Sequence, residues 1–215
     1  MTVVATPPVG AGERLHGLIA ELFPITRSIA GPGLRATLDR LEDVCGPLER
    51  HTFRTGERVH DWAIPEEWEL RSAWIRDPSG RVVVDAAASN LHVVSHSVPV
   101  RSRMTLDELQ PHLHSLPDQP DAIPYRTSYY EPAWGFCLTE RVRAALEDGE
   151  YEVCIDATLG PGVVELGEVV VEGREPGEIL LSTYCCHPSM ANNELSGPVV
   201  TAEHARRLRA APAAR

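Results

Sequence analysis

The chain has 215 residues, of which 43% are hydrophobic and 24% charged, and its formal net charge is −11 at pH 7. These proportions are typical of a globular protein and exclude a generally disordered chain. The negative charge disfavours contact with phosphates, so no nucleic acid partner is expected. All 20 basic residues are arginine, and the lack of lysine excludes Schiff-base, pyridoxal phosphate and phosphate-loop chemistry.

The start of the chain carries no recognisable targeting signal. The first ten residues, MTVVATPPVG, lack a basic segment and an apolar core, and no later stretch reaches the roughly 18 apolar residues of a membrane span. We therefore expect a cytoplasmic protein with no membrane partner. Five cysteines without a CxxC pair predict reduced thiols instead of a disulfide framework.

Two amphipathic helices are predicted near the start of the chain. Leucine and isoleucine recur at helical spacing over residues 15–22, and a similar pattern covers residues 34–45. Arg27 lies between them and has two interpretations, a surface side chain or an anion-binding group. The surface role is favoured because exposed arginine is common.

Residues 59–151 have the character of a separate β-rich unit. Short strand-like runs alternate there with Pro and Gly, and all four tryptophans fall within it. A hairpin is predicted from residues 73–75 and 81–85, which flank a turn containing Pro and Gly. Helices are predicted over residues 105–115, where Thr105 and Glu108 can form a capping box, and over residues 137–147.

The last third alternates strands with a helix, an order that suits an α/β sheet. Strands are predicted over residues 151–155, 163–171 and 178–184, and a helix over residues 198–208. The third strand is apolar on both faces, as buried strands of such sheets are. Its end brings His187 to the sheet edge at which α/β enzymes bind ligands.

The segment from Cys185 to Gly197 concentrates imidazole, thiol, amide and carboxylate groups. A neutral imidazole at a strand end beside a carboxylate loop can hold part of a zinc site. The structural alternative is that His187 bonds a loop carbonyl while the other polar groups cap turns. A thiol–imidazole pair of Cys186 with His187 is disfavoured, because neighbouring side chains on a continuing strand point to opposite faces.

Six ordered runs then resemble a known family. They are 24–29 (PITRSI), 61–68 (DWAIPEEW), 90–95 (NLHVVS), 123–130 (IPYRTSYY), 134–137 (WGFC) and 186–198 (CHPSMANNELSGP). These runs are similar to those of DUF4910 aminopeptidase-like proteins, which resemble M28-type zinc peptidases and are associated with polysaccharide biosynthesis. The resemblance implies a phosphorylase/hydrolase-like α/β sheet over residues 1–57 and 153–215, interrupted by a β-rich DUF2172 domain at residues 58–152.

The resemblance also implies a metal site and its ligands. His187 takes the place of a first zinc ligand, and Asn193 occupies the position of an aspartate that bridges two metals in related aminopeptidases. Glu194, next to it, supplies a carboxylate. Family members continue for about as many residues again, so the Ala-rich ending is expected to reflect C-terminal truncation, and no catalytic residue is assigned.

Two functions are carried forward. The first is metal-dependent hydrolysis of an amide or peptide bond in a small substrate. The candidate substrate-binding residues for this function are Arg71, Tyr129, Tyr130 and Trp134. The second is a non-catalytic remnant or binding module, associated with polysaccharide or secondary-metabolite biosynthesis, that offers its aromatic side chains to a partner or sugar. An exposed sheet edge would favour a homo-oligomer.

Overall fold

A computed structural model describes residues 10–173 and 176–210. The helices are α1 (Ala11–Leu22), α2 (Pro32–Cys45), α3 (Leu106–Leu109), α4 (Glu140–Ala144) and α5 (Ser196–Ala210). The strands are β1 (Glu49–Arg54), β2 (Arg58–Val59), β3 (Trp62–Ala63), β4 (Glu67–Arg76), β5 (Val82–Asp85), β6 (Val100–Thr105), β7 (Leu113–His114), β8 (Phe136–Cys137), β9 (Glu150–Gly160) and β10 (Val163–Glu168). Within these residues, none of the helices combines the length and apolar character that a bilayer span requires. The start of the chain before Gly10 and the Ala-rich end after Ala210 lie outside the described residues.

A four-stranded antiparallel sheet forms one part of the molecule. Its strand order is β5-β4-β9-β6, and one face of it covers an apolar core. The fully or nearly buried members of that core include Ala73, Ile75, Leu109, Phe136, Leu138, Tyr151, Val153 and Ile155. The β4–β5 hairpin confirms the predicted one, since Trp74 pairs with Asp85 and Ile75 with Val84 across the turn.

A second core is helical. Apolar faces of α1, α2 and α5 meet there, which confirms the three helices expected from periodicity. The antiparallel pair β1–β10 lies beside α2. Leu48 packs against two apolar clusters, one containing Leu41 and the other Leu38. The described residues therefore form a mixed α/β structure with small sheets.

The helix predicted over residues 105–115 is much shorter than expected. The capping box of Thr105 and Glu108 is present, but α3 ends at Leu109 and a 3₁₀ turn, Gln110–His112, follows. Pro111 has no N–H to continue the helical hydrogen bonding. The chain then enters β7.

The helix predicted over residues 137–147 is also too long. Cys137 belongs to β8, and α4 begins only after Thr139, whose hydroxyl accepts a hydrogen bond from Val142 N. A threonine at this position stabilises a helix start. The apolar spacing upstream of Thr139 is explained by burial of Cys137 and Leu138 in the sheet core.

The strand predicted over residues 178–184 is absent, and the strand expected over 163–171 ends at Glu168. Ile179, Leu180, Leu181 and Tyr184 are exposed, with Leu180 at 87% of its full accessibility. A strand that is apolar on both faces requires neighbours on its edges and faces, and the described residues supply none. The apolar side chains of this segment therefore lie on the surface of the described structure.

Candidate functional site

Arg27 forms the base of the candidate site. Its side chain is fully buried and donates to three backbone carbonyls: Leu22 O at 2.6 Å, His187 O at 3.0 Å and Ser189 O at 3.4 Å. Burial lowers the pKa of its guanidinium to about 10. The favoured surface interpretation is therefore wrong, because this side chain joins the end of α1 to the loop that carries His187.

The loop adopts a left-handed turn at Ser189 and Met190, whose φ angles are 54° and 43°. Such geometry costs a side-chain-bearing residue about 1 kcal/mol or more, so surrounding contacts must hold it. Ser189 Oγ donates to Asn90 Oδ1 at 2.5 Å. Asn90 Nδ2 in turn donates to the carbonyls of Phe23 and Ile25, at 3.5 and 3.3 Å.

A single π-helical turn, Ala191–Leu195, follows and places Glu194 inside the protein. Single π turns are frequent at functional sites because they redirect one side chain relative to an α-helix. The Glu194 side chain has no solvent exposure. Its Oε2 accepts a hydrogen bond of 2.8 Å from Cys186 N, while no donor among the described residues hydrogen-bonds its Oε1.

Glu194 Oε1 is instead in direct contact with Nδ1 of His187. Burial, together with the positive charge of Arg27, lowers the pKa of the His187 imidazole, which favours the neutral ring that binds metals. A buried carboxylate oxygen without a donor is costly. A cation shared with the imidazole would remove that cost, so the pair has the chemistry of a metal half-site.

Cys186 lies closer to His187 than the sequence suggested. Its Sγ is 3.6 Å from His187 Nδ1, because the chain has left strand geometry before this point and the side chains no longer alternate. The expectation that these neighbours point apart is therefore wrong. Burial raises the pKa of the Cys186 thiol, which argues against a free thiolate nucleophile. The remaining cysteines, like Cys186, are free thiols as expected.

Tyr125 is a site residue that the sequence reasoning missed. Its ring meets the His187 ring edge-on at 4.7 Å between centroids, and its hydroxyl shares a 2.9 Å hydrogen bond with that of Tyr129. Burial raises the pKa of Tyr125, so its hydroxyl stays protonated. The run 123–130 contained the signal, since it belongs to the same group of motifs as the His187 loop.

The four candidate substrate-binding residues divide into two pairs. Tyr129 is linked to the site by its hydrogen bond to Tyr125. The Tyr130 ring meets the Tyr129 ring edge-on, with 6.4 Å between centroids, and Tyr130 is 79% exposed. Trp134 stacks on His112 at 3.6 Å, and Arg71 pairs with Asp156 on the exposed face of the sheet. No contact described here joins Trp134 or Arg71 to His187.

Asn193 lies at the rim of the loop. It is exposed, and its Oδ1 accepts a hydrogen bond of 3.1 Å from the Tyr184 hydroxyl. A metal role for Asn193 stays a prediction, since Glu194 and not Asn193 is the residue whose oxygen is buried against the imidazole.

Comparison with known proteins adds a domain assignment. Residues 67–158 match the model of a domain of unknown function, DUF2172. The matched region contains most of the four-stranded sheet, together with Tyr125 and Tyr129 beside the candidate site.

A curated relative from Clostridium acetobutylicum is 49% identical over 186 residues, which are 86% of this chain and 43% of the relative. It is named "Putative polysaccharide biosynthesis protein with aminopeptidase-like domain". A crystal structure of a "putative peptidase" from the same organism superposes with a TM-score of 0.90 at 47% identity, covering 93% of this chain and 47% of that one. The chain thus spans less than half the length of either protein.

A more distant solved structure is a zinc aminopeptidase from Bacillus subtilis. It superposes with a TM-score of 0.49 at 13% identity, over 93% of this chain and 58% of the other. A superposition of this quality assigns neither a fold nor a metal.

Proposed function

We propose that the chain provides zinc ligands to an aminopeptidase-like hydrolase of small peptides or amides. In this proposal residues 1–57 and 153–215 belong to a phosphorylase/hydrolase-like α/β unit of the DUF4910 and M28 type, and residues 58–152 are inserted into it. The similarity to proteins named for an aminopeptidase-like domain and a peptidase supports this assignment.

One observation carries the proposal: Glu194 Oε1 is buried, and its only polar contact among the described residues is His187 Nδ1. Nitrogen and carboxylate oxygen are both common zinc ligands. A zinc ion held by them would polarise an amide carbonyl and lower the pKa of a bound water. Arg27 fixes the backbone of the loop, and the Tyr125 ring restricts the orientation of the imidazole.

The Tyr129 and Tyr130 rings suit the apolar part of a small substrate. They continue outwards from Tyr125, which contacts His187, and Tyr130 is the exposed member. Aromatic rings provide large contact areas with little loss of side-chain entropy. A substrate whose amide lies at His187 would therefore place its side chain against these tyrosines.

Zinc titration by calorimetry tests the metal half of the proposal. Purified protein is expected to bind zinc at one tight site that His187→Ala abolishes and Glu194→Gln weakens. His51→Ala is the matched control, because Glu49, His51 and Glu168 form a separate, more exposed group of metal-binding side chains on β1 and β10. Equal zinc affinity in the native protein and His187→Ala would overturn the proposal.

An aminoacyl anilide assay tests catalysis separately. Chelator-sensitive release of the amine, lost in His187→Ala, is the expected result. Tight zinc binding without such release would instead favour the binding-module function, for which the exposed Tyr130 ring is the supporting observation.

A further inference from the structure

Cys186 occupies a position that the imidazole–carboxylate pair leaves open for a third donor. Ligand atoms of Cys186, His187 and Glu194 all lie within 4.8 Å of one another. The same three residues are connected through the backbone, since Cys186 N donates to Glu194 Oε2. The thiol and the carboxylate are therefore held on the same side of the imidazole.

The separation of sulfur and nitrogen fits a shared ion. A zinc–sulfur distance of about 2.3 Å and a zinc–nitrogen distance of about 2.0–2.1 Å, at a tetrahedral angle, place the two ligand atoms about 3.6 Å apart. The distance from Cys186 Sγ to His187 Nδ1 is 3.6 Å. The Glu194 contact is closer than two ligands of one ion lie, so the carboxylate and the imidazole have to separate on binding, and the match to zinc geometry rests on the sulfur–nitrogen distance.

We infer that Cys186 is a metal ligand, so that Cys186, His187 and Glu194 form a three-residue site for a thiophilic divalent cation such as zinc. This inference rests on the proposed function and adds a sulfur donor to it. The independent observation that points to a cation is the fully buried Glu194 carboxylate, whose Oε1 makes no hydrogen bond to the described residues apart from its direct contact with His187 Nδ1.

The donor set determines which ions the site accepts. Thiolate sulfur selects zinc and related soft or borderline ions, whereas magnesium and calcium prefer oxygen ligands. Three protein donors leave a fourth position for water or substrate, as in catalytic zinc sites. A Cys186 thiol, when bound to an ion, loses its proton to solvent, so binding releases one proton at neutral pH.

Cobalt(II) titration of the full chain tests the sulfur ligand directly. Cobalt takes the place of zinc, and a bound thiolate produces a near-ultraviolet sulfur-to-cobalt charge-transfer band that nitrogen and oxygen ligands do not. Native protein is expected to develop this band at one equivalent. Cys186→Ser is expected to lose the band and to bind zinc about 10–100-fold more weakly, with magnesium binding unchanged.

Cys185→Ala is the matched control. Cys185 is the adjacent thiol, but it is buried against Leu34 and Leu38 and is not among the grouped ligand atoms. It is expected to retain the charge-transfer band. Circular dichroism of Cys186→Ser and Cys186→Ala, recorded beside the titrations, separates loss of a ligand from loss of the fold.

The possible results distinguish a failure of the Cys186 ligand from a failure of the proposed zinc site as a whole. Cobalt bound at a site that depends on His187 but gives no charge-transfer band would overturn the role of Cys186 and leave the proposed function in place. A band that persists in Cys186→Ser would also overturn it, since another thiol would then be the ligand. No cobalt binding in the folded native protein would overturn both.

Discussion

Replacing Arg27 with methionine tests how the loop is held. Methionine keeps most of the apolar length of the side chain but removes the donors to Leu22 O, His187 O and Ser189 O. Each buried carbonyl that loses its donor costs about 1–3 kcal/mol, so three lost bonds at ~2 kcal/mol each sum to about 6 kcal/mol.

Removal of the buried charge offsets part of that loss. The pKa of Arg27 falls from 12.5 to about 10, and ~2.5 pKa units correspond to about 3 kcal/mol of charge burial that Arg27→Met no longer bears. The expected net loss in the free energy of unfolding is about 3 kcal/mol. Because the His187 carbonyl is among the released groups, zinc affinity should fall as well.

Urea denaturation followed by circular dichroism measures the unfolding free energy, and calorimetry measures zinc affinity. Arg71→Met is the control, because Arg71 is an exposed arginine paired with Asp156 and such pairs contribute little. Arg27→Met with native stability and native zinc affinity would refute the view that this guanidinium organises the loop.

Three further predictions concern other parts of the chain. Arginines of α5 hold the pKa of Glu203 well below its usual range, so Glu203→Gln should lower the urea midpoint at pH 7. This difference should shrink steadily as the pH falls below about 4.5, because the unfolded carboxylate then binds a proton that the native one does not, and a difference equally large at pH 7 and pH 3 would contradict the ion-pair origin. Gly33→Ala should destabilise the protein by about 1–3 kcal/mol, because the added Cβ would lie 2.0 Å from Thr26 O. Gly17→Ala is the control: with open space around it, it should stabilise α1 by up to about 1 kcal/mol in thermal melts. Equal effects of the two substitutions would show that the close approach at Gly33 does not matter. Leu180→Arg should reduce any self-association seen by light scattering, since Leu180 is the most exposed large apolar side chain among the described residues, and unchanged association would place the contact elsewhere.

Local signals in the sequence accounted for much of the fold. Helices α1, α2 and α5 follow from apolar spacing, and the β4–β5 hairpin follows from its Pro–Gly turn. Each of these elements is specified by residues close together in the chain. The two helices that were too long show the limit of periodicity, since Pro111 and Thr139 set their bounds more strongly than the apolar pattern did.

The geometry of the candidate site was harder to predict than the helices and the hairpin, because it depends on contacts between segments that are distant in sequence. His187 and Glu194 were identified by residue type and resemblance, and they do lie in contact. The expectation for Cys186 failed because it assumed a strand before His187, and strand formation depends on partners distant in sequence. Arg27 was misread for a similar reason: burial of an arginine requires carbonyls from segments that the local sequence does not reveal.

The contacts around Ser189 have a consequence for the order of events during synthesis. Arg27 and Asn90 leave the ribosome long before Ser189, and a domain generally folds as one unit. Asn90 already bonds the carbonyls of Phe23 and Ile25 without help from the later loop. Ser189 meets Asn90 across 99 residues and Arg27 across 162, so the left-handed turn at residues 189–190 forms only after these distant segments have come together.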